Sequence, residues 1–186
     1  NPLGDRVEKE VVQVMLDLET PFLLTTLENI INQSNPGLLT PGAEMVRVCL
    51  ASYAEKMTSK PNLWRIKPGE QPSHRRDDLR EIMDLLEKMG ADLGFRVKEK
   101  TPLNEVQVLT WAESTGEQVI FYISASALLN KILLAEPRSP QRWIVIPASR
   151  AELVLHKLRH NPPLAEYFDQ GWNFLKYRHV RRLAEE

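Results

Sequence analysis

The stretch Val106–Leu129, VQVLTWAESTGEQVIFYISASALL, constrains the fold more than any other part of this chain. Val106–Trp111 and Gln118–Ser124 are β-branched and aromatic runs of strand length, and AESTGE between them carries turn residues. A helix is expected from Ala125 or Ser126 to Leu134. Upstream, Ser73 is expected to cap a long helix, HRRDDLREIMDLLEKMGADLG, with Leu79, Ile82, Met83, Leu86 and Met89 on one face and Gly90 or Gly94 at its end. FRVKEK then reads as a short strand. Downstream, AEPRSPQ reads as a loop and RWIVIP as a buried strand. The helix SRAELVLHKLRH and the segment NPPLAEYFDQGWNFLKYRHVRRLAEE close the chain. The second half therefore reads α-β-β-β-α-β-α, a mixed α/β (α+β) domain with a small sheet and helices packed on it.

The first half is helical. In residues 5–18, Val7, Val11, Val14 and Leu18 recur at helical spacing, with Asp5 as the expected cap. A second helix is expected in TTLENIINQS, capped by Thr25 or Thr26, and NPG then forces a turn. LTPGAEMVRVCLASYAEKM starts a third, with Thr40 as cap, Pro41 at the first position and Glu44 in the first turn. Met45, Val48 or Cys49, and Ser52 or Tyr53 mark its buried side; Glu44, Arg47, Ala51, Glu55 and Lys56 its exposed side. NLWRIKP follows as a strand. Three helices with a tight turn before the third, then a strand, is the order of a winged helix. KPGEQPSHRRDD is rich in Pro, Gly and charge and reads as a linker.

Charge is uneven. Residues 1–60 hold 5 Lys/Arg against 8 Asp/Glu, residues 61–136 hold 10 against 12, and residues 137–186 hold 9 against 5, within a net charge of −1. The basic side chains gather at the C-terminal end, the first place to look for a polyanion contact. Cys49 is the one cysteine, so disulfides and Cys-based zinc sites within the chain are excluded. A buried structural thiol and a reducing, cytoplasmic setting are expected. No run is long and apolar enough for a membrane span. The first residue is Asn, which suggests a piece of a longer protein.

α-β-β-β-α-β is the core order of restriction-endonuclease-like folds. In that family a strand-borne Asp and a Glu-x-Lys on the next strand hold Mg²⁺, because a hard dication needs converging carboxylate oxygens. Here Gln107 or an apolar neighbour stands at the Asp place, Tyr122 at the Glu place and Ser124 at the Lys place. Glu113 and Glu117 lie in the turn. Glu105 is the one carboxylate near the strand, and Glu105 or Glu81 would have to serve as a migrated ligand if cleavage occurred. The sequence has no GxGxxG, Walker loop, HExxH or GxSxG. His156 and His160 are spaced i, i+4 but have no Glu between them, and Lys157 and Arg159 beside them point to a solvated basic face. Ser124 and Ser126 lack His and Asp partners. Catalytic residues, metal ligands and cofactors are accordingly expected to be none. Trp172, Phe174 and Leu175 read as core anchors.

NPGLLTPGAEMVRVCLASYAE followed by NLWRIKPGEQPSHRRDDLREIMDLLEKMGADLGF resembles a segment found in bacterial proteins related to DNA methylases. WAESTGEQVIFYISASALL and RWIVIPASRAELVLHKLRHNP look like its companion restriction-endonuclease-like domain without the Asp and Glu-x-Lys. The resemblance implies an accessory region of a DNA modification or defence protein. No methyltransferase motif is present: NPPL has Leu164 where an aromatic should stack.

The expectation is a winged-helix-like module at 1–70 and a degenerate restriction-endonuclease-like α/β domain at 73–186. Its function would be DNA binding without catalysis. The expected phosphate contacts are Arg47, Lys56, Arg65, Lys67, Lys157, Arg159, Lys176, Arg178, Arg181 and Arg182. Protein interaction or scaffolding in a larger bacterial complex is the alternative, and a metal-dependent nuclease with a migrated site the second. The partners expected are DNA or another protein, with no membrane.

Overall fold

A computed structural model describes residues 4–18, 20–103, 105–133, 141–169 and 171–186. The expected AEPRSPQ loop and the end of the helix expected at Leu134 lie almost wholly outside these residues. In chain order the elements are α1 (Asp5–Asp17), β1 (Phe22–Leu23), α2 (Leu24–Ser34), α3 (Ala43–Tyr53), β2 (Ala54–Met57), β3 (Lys60–Ile66), α4 (Pro72–Asp92), β4 (Arg96–Leu103) and β5 (Val106–Ala112). Then follow β6 (Gln118–Ile123), α5 (Leu129–Leu133), β7 (Gln141–Ile146), α6 (Ala151–Arg159), α7 (Pro162–Asp169), β8 (Trp172–Lys176) and α8 (Tyr177–Glu185). Among the described residues no helix is long and apolar enough to cross a membrane.

Two sheets result. A three-stranded antiparallel sheet in the order β1-β3-β2 joins the N-terminal helices. A five-stranded mixed sheet has the order β4-β5-β6-β7-β8. Its first three strands form an antiparallel meander, and β7 and β8 then add parallel to β6 and to each other. Parallel addition needs a crossover, and α5 and the α6–α7 pair supply the two connections. Both faces of this sheet are covered, so its central strands are apolar on both sides. Val106, Val108, Ile120, Tyr122, Ile144 and Trp172 join a core that also includes Val11, Leu27, Ile31, Cys49 and Tyr53. On the other face Leu109, Trp111, Phe121, Ile123 and Val145 pack with Ile82 and Leu86 of α4 and Val180 of α8.

Several local expectations change for physical reasons. Asp5 is the first residue of α1 rather than its cap, which is Gly4; its carboxylate is drawn to Lys157 instead. Thr40 does not cap α3, which begins at Ala43 after Gly42; the Thr40 hydroxyl donates to the Asn35 carbonyl. The third helix stops at Tyr53, and Ala54–Met57, read as helix, pairs with β3. The stretch read as a linker is ordered: Pro68–Glu70 form a 3-10 turn, α4 starts at Pro72, and Glu70 is buried. Ser124–Leu128 form a loop before the short α5. Trp172 is buried, but Phe174 is 40% exposed.

Candidate nucleic-acid interface

The end of the hairpin meets the start of α4. Directly opposed residues of an antiparallel pair project to one face, and Gln107 pairs with Ile123. Both lie on the α4 side, where Ile123 packs with Ile82 and Leu86. Tyr122 pairs with Val108 on the opposite face, and both join the other core. Of the two candidates for the Asp place, the apolar neighbour Val108 therefore shares a face with Tyr122 and Gln107 does not. By strand alternation the companions of Gln107 on β6 are Phe121 and Ile123, not Tyr122, and these are apolar.

Two adjoining hollows of about 310 and 280 Å³ open at this sheet end. Both are lined by Arg75, Glu105 and Ser126; Arg76, Leu79 and Gln107 line the first, and Lys9, Gln13 and Glu8 the second. Arg75 lies over the Tyr53 ring, 5.4 Å from its centroid, and its buried Nε has no hydrogen-bond partner. Arg76 is exposed. The acidic groups are already engaged. Glu105 pairs with Lys9 at 2.8 Å, and Glu8 with Lys157 at 2.5 Å. Glu81, the other carboxylate considered as a migrated ligand, pairs with Arg181 at 2.6 Å.

A buried polar network holds this end in shape. The Lys157 ammonium donates to Asp5, Glu8 and the Ala127 carbonyl, all within 2.8 Å. Glu8 also accepts from the Tyr53 hydroxyl and the Ala127 amide. Burial opposes the charge on Glu8, but Lys157 and these donors outweigh it and hold its carboxyl below the ordinary range. For Asp5 burial wins and its carboxyl is raised. The difference follows from geometry, since Glu8 has more donors. Arg150, 0% exposed, forms the second hub. Its guanidinium donates to both Glu70 oxygens, to the Ser52 carbonyl and hydroxyl and to the Ala125 carbonyl, and stacks 3.5 Å from the Tyr53 centroid.

The residues expected to meet phosphate are dispersed. Lys157 is interior and cannot meet a ligand at the surface. Arg181 is tied to Asp78 and Glu81, Arg65 to Glu55 at 2.8 Å and Arg47 to Glu28 at 3.4 Å. Lys67 donates to the Ala51 and Ser52 carbonyls, and Lys56 lies over Trp64. Arg182 is 80% exposed beside Glu186; Arg159 and Arg178 are also exposed, and Lys176 is half-buried. On α3 only one side is free, because its other sides pack on α1 and α6. Cys49 is fully buried, as expected, and burial raises its thiol pKa. His156, on α6, is held below the ordinary imidazole range by burial and then by His160.

Arg75, Arg76 and Arg150 were missed from the sequence. The first two carried a signal, since cations in the first turn of a helix oppose its dipole and need another reason to be there. Arg150 carried none; its partners are far away in sequence. No family model, curated protein or solved structure matches the chain.

Proposed function

We propose that this chain is a non-catalytic DNA-binding region, a winged-helix-like module joined to a degenerate restriction-endonuclease-like domain. The element order α1-β1-α2-α3-β2-β3 with its β1-β3-β2 sheet supports the first part of that reading. The meander followed by parallel addition of β7 supports the second. The observation that carries the function is the sheet-end cleft. Where such a fold would set its carboxylates, Gln107 stands among apolar neighbours, and the opposing helix contributes Arg75 and Arg76. Guanidinium groups at a helix N-terminus suit a phosphodiester, and a site without converging carboxylates holds the backbone without metal-assisted attack. α8 lies against α4 with Arg181 on Asp78, one turn from Arg75. Arg178 and Arg182 on its free sides extend the basic surface. In this reading the packed α3, which carries one acid and one base, contributes little to groove recognition.

The test is anisotropy of a labelled duplex at low salt with Mg²⁺ present, followed by electrophoresis of the recovered DNA. Saturable binding with intact DNA is expected. Cleavage would overturn the non-catalytic half of the proposal, and absence of binding would overturn the DNA half.

Protein interaction is a second reading, favoured by one observation. Leu38 and Leu39, in the turn before α3, are 106% and 63% exposed. Contiguous exposed apolar surface marks protein-interaction sites.

A further inference from the structure

α3 brings Glu44 in its first turn to the last turn of α6, where His156 and His160 stand i, i+4 on one side. Ligand atoms of the three side chains all lie within 4.8 Å of one another. The imidazole centroids are 4.2 Å apart, and Glu44 Oε1 is 3.7 Å from His156 Nδ1. Two of the sequence objections to this histidine pair do not hold in three dimensions, while the charge of Arg159 stays near His156. The missing carboxylate comes from another helix. Lys157, which lies between them in sequence, points inward and is neutralised by Asp5 and Glu8. His160 Nδ1 lies 2.8 Å from the His156 carbonyl, a contact that requires the proton on Nδ1 and leaves the Nε2 lone pair free. That is the outer-shell arrangement which fixes the tautomer of a metal-binding histidine.

We propose that Glu44, His156 and His160 bind one Zn²⁺, with water as fourth ligand, clasping α3 to α6. Two imidazoles and a carboxylate are a borderline donor set that suits zinc, whereas Mg²⁺ and Ca²⁺ prefer oxygen. Donors around zinc sit about 2.0–2.2 Å from the ion, so the three must close together slightly. The Glu44 side chain, 74% exposed, is free to make that move, and His156, 12% exposed, supplies the fixed point.

Isothermal titration of the whole chain with ZnCl₂ and with MgCl₂ tests the site, alongside His160→Ala and Glu44→Gln. Both replaced side chains are exposed, and circular dichroism verifies that each variant is folded. One saturable zinc site and no magnesium heat are expected. Glu44→Gln should weaken zinc by more than the roughly 10–100-fold that loss of an outer-shell partner costs, and His160→Ala should abolish saturation. At zinc about a hundredfold above Kd, Tm should rise by roughly 5–10 °C in the wild type only. Absence of saturable zinc binding would overturn the proposal, as would binding unchanged in both variants, which would place the ion elsewhere. None of these outcomes bears on DNA binding.

Discussion

Glu8 and Asp5 lie one helical turn apart and share a cation, yet they should respond unequally to substitution and oppositely to pH. Glu8 is held by Lys157, Tyr53 and the Ala127 amide. Glu8→Gln leaves a buried ammonium short of charge and should cost roughly 3–5 kcal/mol in urea unfolding, the range for breaking a buried pair. Asp5→Asn should cost clearly less, because burial already disfavours the Asp5 charge. The signs for pH follow from the two directions. The lowered Glu8 pKa gives stability that is complete above the ordinary glutamate value, about 4.3, and is lost as pH falls through its folded value. The raised Asp5 pKa acts the other way, because the folded state takes up that proton first. Urea midpoints measured from neutral to acid pH should therefore fall at the acid end in the wild type and fall less in Glu8→Gln. Nothing in the sequence marks this pairing. Asp5 and Glu8 look like first-turn acids of a surface helix, and Lys157 like part of a basic face, because sequence separation hides a contact made across the whole chain.

At the scale of elements, periodicity carried far. The hairpin, the long α4 and the strand at Gln141–Ile146 are regular enough to read from residue spacing, and the structure places them as read apart from small shifts in their ends. β2 and β8 were not legible. AEKM has helical composition and becomes a strand only because β3 is there to pair with it. Trp172–Lys176 is stabilised by parallel pairing to β7, which local spacing cannot signal. The choice between Gln107 and its apolar neighbour Val108 was open for the same reason, since a register shift of one residue exchanges the faces of a strand. Close packing of α4 on the meander gives a further prediction. A Cβ on Gly90 would lie 2.6 Å from Trp111 Nε1 and 2.7 Å from Val97, whereas one on Gly69 would meet nothing within 4 Å. Gly90→Ala should destabilise by roughly 1–3 kcal/mol, the usual range for overpacking. Gly69→Ala should leave the thermal midpoint nearly unchanged, so melting curves of the two variants check the packing.

For the whole molecule, composition suggested a division near residue 70, and the interior crosses it. Arg150 binds Glu70 and Ser52, Lys157 binds Asp5 and Glu8, and one apolar core takes residues from both sides. Separating the halves would expose two cations and their partners together with that core. Denaturation should accordingly follow one transition, with tryptophan fluorescence and far-ultraviolet circular dichroism coincident; two resolved transitions would mean that the halves fold apart. Arg150 on Glu70 anchors the start of α4 beside the hairpin end, and the exposed charges of Arg76 and Arg178 can be changed without touching the core. The most direct measurement is the salt dependence of duplex binding for the wild type and for Arg76→Glu with Arg178→Glu. A steep fall of log affinity with log salt is expected, and a slope reduced by about one for each phosphate contact removed. Absence of binding at low salt, or an unchanged affinity and slope in the double variant, would contradict the proposed DNA surface.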